Sequence, residues 1–227
     1  MSPNLGTLCV VGLGHAGWPL AVTAAEAGFR VTAIDRDPQR LQQLRNQREA
    51  GAGVAAGAAP GDTAQNVNFG THVTEHHTYL VCVPTPVHDG ELQSVHLCNA
   101  LQAISKHLKR GALVVIVSTV PLGFTEGSAR QLLEQASGLS AEDDFLLGYA
   151  AERFDPGTSW SVRSIPRVLA GTNARASAAP RRSPRARTGP DGGSGSGCNQ
   201  AVRVRIVLYE YGRGRPVHRQ GRFDAGS

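Results

Sequence analysis

Gly12, Gly14 and Gly17 stand in the run CVVGLGHAGWPLA (9–21), directly after an apolar stretch and at the head of a helical pattern. No other feature narrows the possible folds as far. In a strand–turn–helix unit the first glycine allows a tight turn. The second lets the backbone approach a pyrophosphate, and the third lets helix and strand pack closely. The helix N-terminus then offers free N–H groups and the positive end of its dipole to phosphates. FRVTAID (29–35) follows as a second strand and ends on Asp35, at the spacing where an acid accepts hydrogen bonds from an adenosine ribose diol. The same acid would repel a 2′-phosphate, so the expected cofactor is NAD rather than NADP.

The chain as far as residue 172 alternates apolar β-rich runs with helical patterns, which is the mark of a parallel α/β sheet. WPLAVTAAEAG (18–28) reads as a helix closing at Gly28, and PQRLQQLRNQR (38–48) as a second helix. AGAGVAAGAAPGDTAQN (50–66) has no clear period and reads as a loop or a poorly ordered helix. TYLVCVPTP (78–86) is a strand running into a double-proline turn, and SVHLCNALQAISKHL (94–108) is an amphipathic helix. ALVVIVSTV (112–120) is the strongest strand, and TEGSARQLLEQAS (125–137) a helix with Thr125 as its N-cap. DFLLGYA (144–150) and RVLAG (167–171) complete the set. The expected architecture is an α/β, Rossmann-like doubly wound parallel sheet.

After Gly171 the character changes. The formal net charge of +5 averages two unlike parts: residues 1–174 hold 12 Lys+Arg against 15 acids, and residues 175–227 hold 11 Arg against 3 acids. ARASAAPRRSPRARTGPDGGSGSG (174–197) has almost nothing apolar beyond alanine, too little to offset its ordering entropy. VRVRIVLYEY (202–211) alternates like a strand but stands alone between Gly/Arg-rich flanks. The expected organisation is a folded, NAD-binding domain over 1–172 and a disordered basic tail over 173–227.

No apolar run approaches the roughly 18 residues that span a bilayer. The opening MSPNLGTLCVV lacks the basic stretch and cleavage site of a secretory signal, so the expected compartment is cytoplasmic. Cys9, Cys82, Cys98 and Cys198 form no C-x-x-C pair and no zinc spacing. Five histidines between His72 and His96 match no metal pattern, and no metal is assigned.

Three further motifs bear on function: CVPTP (82–86), STVPLGFT (118–125), and ERFDPG (152–157) followed by IPRVLAG (165–171). With GLGHAGWPLA (12–21) and the Asp35 strand, they resemble the N-terminal domain of the UDP-glucose/GDP-mannose dehydrogenase family. The likeness is greatest to its UDP-N-acetylglucosamine and UDP-N-acetylmannosamine 6-dehydrogenases, and it covers about residues 5 to 172. These enzymes oxidise the C6 alcohol of a UDP-sugar to a carboxylate in two NAD-dependent steps through an enzyme-bound thioester, in the synthesis of polysaccharide precursors. The resemblance implies that Gly12, Gly14, His15, Ala16, Gly17 and Asp35 hold NAD and that Arg40 approaches the adenosine ribose. It also implies that Thr85 sits at the carboxyl end of its strand, and that Thr119 lies beside the nicotinamide and a reaction-site water. Glu152 matches the glutamate that assists thioester hydrolysis, where a carboxylate orients the attacking water or accepts its proton.

The departures are specific. His15-Ala16 replaces a tyrosine-valine pair, Leu122 and Phe124 depart from the family's S-T-V-P-P-G-T-T, and Ala151 stands for a proline. The family nucleophile is a cysteine in a G-x-G-G-x-C loop, because thioester formation needs a thiolate. Here the only later cysteine is Cys198 in GGSGSGCNQ, without the Lys-Asp that should follow, and no lysine occurs after Lys109. The expectation is a cofactor domain without the family's nucleophilic cysteine, catalytic lysine, dimer-forming helix or nucleotide-sugar domain. The tail reads as frameshifted text. Two alternatives stay open: a non-catalytic NAD-binding fragment, and a polyanion binder acting through the Arg175–Arg187 stretch. The latter would show salt-dependent, sequence-blind affinity. No aromatics interleave that run, so nucleic acid is not the expected partner.

Overall fold

The computed structural model describes residues 5–49, 67–141, 143–150 and 169–171. β1 (Thr7–Val11), α1 (Gly17–Glu26), β2 (Arg30–Ile34) and α2 (Pro38–Glu49) open the chain. β3 (Val67–Gly70) and β4 (Thr78–Val81) follow, then a small hairpin of β5 (Val87–His88) and β6 (Glu91–Leu92). α3 (Val95–Ser105), β7 (Leu113–Ile116), α4 (Arg130–Ser137), β8 (Leu146–Ala150) and β9 (Leu169–Gly171) complete the described elements. The main sheet runs β3-β2-β1-β4-β7-β8-β9. Every pairing in it is parallel except the last, where β9 lies antiparallel on β8. This is the Rossmann-like doubly wound order expected, with an antiparallel strand added at one edge.

The strands read as unbroken apolar runs because both faces are covered. Alternate residues feed two cores. Leu8, Val10, Leu80 and Val115 pack with Leu20 of α1 and Leu41 and Leu44 of α2. Cys9, Val11, Tyr79, Val81 and Ile116 pack with Leu97, Leu101 and Ile104 of α3 and Leu133 of α4. Among the described residues, no helix is long and apolar enough to cross a membrane.

Two elements have no counterpart in the sequence reading. β3 is the four-residue run VNFG, without the unbroken apolar stretch that marks a buried strand. Phe69 holds it at the sheet edge by stacking on Trp18 at 5.6 Å. The guanidinium groups of Arg45 and Arg48 lie 5.6 and 5.1 Å from the Phe69 ring centroid. Arg48 also donates to the Val67 carbonyl at 3.0 Å. The β5–β6 hairpin turns on Asp89-Gly90, with φ of 52° and 79°, the left-handed pair that a two-residue hairpin needs.

One expectation is corrected. Thr125 is not an N-cap: helical hydrogen bonding already begins at the Gly123 carbonyl, which accepts from Gly127 N–H at 2.9 Å. Thr125 therefore falls inside the helix, in a π-helical turn over Thr125–Ala129, and is buried. The segments 50–66, 151–168 and 172–227 lie outside the described residues. With them lie Glu152, the Arg175–Arg187 stretch and the alternating run 202–211.

His76 has a structural post. It is buried ahead of β4, with Nδ1–H donating to the Thr74 carbonyl and Nε2 accepting from the Thr32 hydroxyl, both at 2.9 Å. Burial lowers its pKa below the ordinary 6.5, outweighing the opposing pull of the Thr74 carbonyl. As pH falls below about 6.5, the unfolded chain takes up this proton first. His76 therefore contributes its full stability above that pH and loses it on acidification toward the folded pKa. Urea midpoints measured from pH 7.5 to 5.5 should fall more steeply for the native chain than for His76→Gln.

Candidate cofactor site

The turn after β1 is set by two glycines and opened by a third. Gly12 has φ +92°, and a Cβ there would sit 2.7 Å from the Cys82 carbonyl oxygen. A Cβ on Gly17 would fall 1.8 Å from the Gly12 carbonyl oxygen, so strand and helix meet without room for a methyl group. At Gly14 nothing lies within 4 Å of the missing Cβ. Gly12 and Gly17 are thus fixed by packing, whereas Gly14 leaves an open approach to the backbone. No side chain caps the N-terminus of α1. Trp18 N–H donates to the Gly14 carbonyl at 3.4 Å and Leu20 N–H to the Ala16 carbonyl at 3.2 Å, and Pro19 has no N–H. An incoming anion therefore meets the N–H groups ahead of Trp18.

Asp35, at the carboxyl end of β2, governs the same turn. Leu13 N–H donates to its Oδ2 at 2.8 Å and Asp37 N–H to its Oδ1 at 3.0 Å. A carboxylate has about four acceptor sites, so both oxygens retain capacity for a diol. Arg40 also makes a contact within the turn: its Nε–H donates to the Leu13 carbonyl at 2.9 Å. The Leu13 residue is therefore gripped through its N–H by Asp35 and through its C=O by Arg40. Arg40 is a strut of the turn as well as part of the cavity wall.

A cavity of about 680 Å³ opens at the carboxyl ends of β1, β2 and β4, and Gly12, Gly14, His15, Asp35 and Arg40 line it. A second cavity of about 220 Å³ adjoins it, lined by Ala16, Thr85, Ser118 and Thr119 and sharing Cys82, Val83 and Pro84 with the first. The structure thus brings those expected residues that it describes together in two adjoining groups, with buried Gly17 behind them; Glu152 lies outside the described residues. Ser118, which the sequence reading passes over, joins the strands under the small cavity: its hydroxyl donates to the Val83 carbonyl at 2.7 Å. Its signal was its place beside Thr119 in STVPLGFT. Arg36, Val73, His96 and Ala100 also line the large cavity. Val73, His96 and Ala100 come from other elements, Arg36 directly follows Asp35, and none of the four belongs to a local motif.

The site's fit to a dinucleotide rests on its own geometry. The larger cavity has the size of a small-molecule site, the glycine cradle is one that Cβ atoms would fill, and an acid faces it from the next strand. Cys9 has no part in this chemistry. It is buried in β1, and burial pushes its thiol up to about 12, which leaves it protonated and unreactive at neutral pH. Among the described residues, no group of His, Cys, Asp and Glu is placed to hold a metal ion.

Comparison with known proteins agrees with this geometry. The pattern of the UDP-glucose/GDP-mannose dehydrogenase family, NAD binding domain, matches residues 6–183. The UDP-N-acetyl-D-glucosamine 6-dehydrogenase of Pseudomonas aeruginosa is 34% identical over 170 residues, 73% of this chain and 40% of the relative. The UDP-N-acetyl-D-mannosamine dehydrogenase of Pyrococcus horikoshii is 31% identical over 66% of this chain and 37% of its own. The chain thus spans about two fifths of the length of these relatives. In three dimensions, the UDP-D-ManNAc dehydrogenase of Pyrococcus horikoshii superposes with a TM-score of 0.68 at 23% identity, over 92% of this chain and 46% of that one. A GDP-mannose dehydrogenase of Pseudomonas aeruginosa gives 0.61 at 21% identity, over 71% and 40%. At such identities these two likenesses speak for the fold.

Proposed function

Because this chain belongs to the UDP-glucose/GDP-mannose dehydrogenase family, we propose that it holds NAD across the two linked cavities and serves the oxidation of a UDP-sugar C6 hydroxyl to a carboxylate. One observation carries the cofactor placement: the Asp35 carboxylate is fixed by Leu13 N–H in the same cavity that Gly14 leaves open. In this reading Asp35 accepts from the ribose diol, and the N–H groups between Gly14 and Gly17, at the head of α1, bind the pyrophosphate. His15 and Ala16, at the mouth of the turn, cover the phosphates. Thr85 and Thr119, facing the small cavity from the ends of neighbouring strands, hold the nicotinamide end and a water there. NAD, when bound, supplies the hydride acceptor for alcohol oxidation. Glu152 is the proposed group that orients or deprotonates water in the hydrolytic half of the reaction. The proposed substrate is a UDP-N-acetylhexosamine, as in the two named relatives. Residues 1–172 form the cofactor domain in this reading, with 173–227 outside it.

Titration of the full chain with NADH, followed by the fluorescence of the reduced nicotinamide, tests the proposal. Saturable binding below millimolar cofactor is expected, and no binding at millimolar cofactor overturns it. With UDP-sugar and NAD the same chain should bind cofactor yet show negligible turnover, because Cys198 is the one cysteine beyond the matched residues. Steady carboxylate production by this chain alone would reject that expectation.

A further inference from the structure

We propose that Arg36 recognises the adenine of the cofactor, its guanidinium stacking on the base; this rests on the cofactor reading above. The residues already placed give the site a direction. In an adenosine diphosphate the 5′ carbon leads to the phosphates and C1′ to the base. With the phosphates at Gly14 and the ribose hydroxyls on Asp35, the base lies beyond Asp35, away from the glycine turn.

The segments that line the large cavity beside the glycine turn, the loop after β3 and α3, present both polar and apolar residues, Thr71, His72 and Asn99 among the former. Val73, Ala100 and Ala103 are among the latter, and Val73 and Ala100 are each only 8% exposed. Arg36 lines the same cavity. It directly follows the ribose acid, and its Nη1–H donates to His96 Nδ1 at 3.2 Å. That bond ties the end of β2 to the first turn of α3 across the cavity. One edge of the guanidinium is thereby held, on an exposed side chain that lines the cavity.

A guanidinium is flat and stacks on π-systems in a way that an ammonium does not. Bases are commonly read through such planes. The other guanidinium in the cavity wall is committed elsewhere, since Arg40 Nε–H is bound to the Leu13 carbonyl beside the glycine turn. A 2′-phosphate is the wrong ligand for Arg36, because Asp35 and Asp37 flank it in sequence and line the same cavity. The base therefore sits between Val73, Ala100 and Ala103 on one side and the Arg36–His96 bridge on the other.

The test uses the full chain with Arg36→Ala and Arg36→Lys, titrated with NADH and NADPH and melted in parallel. Arg36→Ala should weaken NADH by about tenfold, the scale of one lost base-stacking contact. Arg36→Lys, which keeps the charge and loses the plane, should recover little of that affinity. Melting temperatures should stay within about 1 °C, because Arg36 is exposed. NADH binding by Arg36→Ala within about twofold of the native chain overturns the inference, as that is less than a stacking contact is worth. Full recovery by Arg36→Lys overturns it, as does a much larger loss for NADPH than for NADH. So does a fall in melting temperature that matches the loss of affinity. Failure of the native chain itself to bind NADH overturns the cofactor reading, and this inference with it.

Discussion

Gly17→Ala should leave the chain poorly soluble or markedly destabilised, whereas Gly14→Ala, only three positions away, should fold normally and fail to hold cofactor. The new methyl at Gly17 would lie 1.8 Å from the Gly12 carbonyl oxygen, and its next neighbour is the Gly12 carbonyl carbon at 2.9 Å. Both are backbone atoms, so no side chain can swing aside. Relief requires α1 to move off β1, which breaks contacts of Leu20, Ala21 and Ala24 with the core. A cost of about 3 kcal/mol is the upper end of ordinary overpacking, and in a domain of this size it lowers the melting temperature by roughly 6–12 °C. At Gly14 the methyl meets nothing within 4 Å, so stability should change by no more than about 0.5 kcal/mol. The methyl then occupies the approach to a pyrophosphate, and NADH affinity should drop by about tenfold or more. Thermal melts and NADH titrations of the two variants separate these effects. Equal melting temperatures for both would show that the helix–strand contact is not as close as the backbone places it.

Asp35→Ala should cost more affinity than any other single change at the site. Two effects combine. The ribose diol loses hydrogen bonds to a charged acceptor, each worth about 1.5–3 kcal/mol, so two such bonds amount to at least about a hundredfold in Kd. The turn also loses its anchor, because the N–H groups of Leu13 and Asp37 are left without the carboxylate. Leu13 is fully buried, so its unpaired N–H adds about 1–3 kcal/mol of destabilisation. Asp35→Asn discriminates between the two effects. It keeps an acceptor for Leu13 N–H and removes the negative charge, so it should melt close to the native chain while its preference for NADH over NADPH narrows. An unchanged preference in Asp35→Asn would show that the acid does not face the ribose.

Much of the fold was legible because it is written in local patterns. The apolar runs LCVV (8–11), YLVCV (79–83) and ALVVIV (112–117) announce strands buried on both faces. The helices of 38–49 and 95–105 announce themselves by period and by polar flanks. What stayed hidden was short or depended on neighbours. β3 is a strand because β2 pairs with it and because Trp18 and two arginines cover Phe69, contacts that no window of four residues contains. Thr125 looks like a cap only until the preceding turn is known to be helical already.

The site divides along the same line. The sequence by itself determined the glycine cradle, the acid on the second strand and the threonines at the ends of β4 and β7, because each is a motif whose chemistry sits within a few bonds of backbone. Only the tertiary structure decided what surrounds them. The order β3-β2-β1-β4-β7 sets the end of β2, the loop after β3 and the first turns of α3 around one cavity. That convergence places Arg36 against His96, Val73 beside Ala100, and Arg40 on the Leu13 carbonyl. The physical reason is that backbone conformation is specified over a few residues, while a cavity wall is assembled from residues 27 to 60 positions apart, whose meeting is fixed by strand order and core packing.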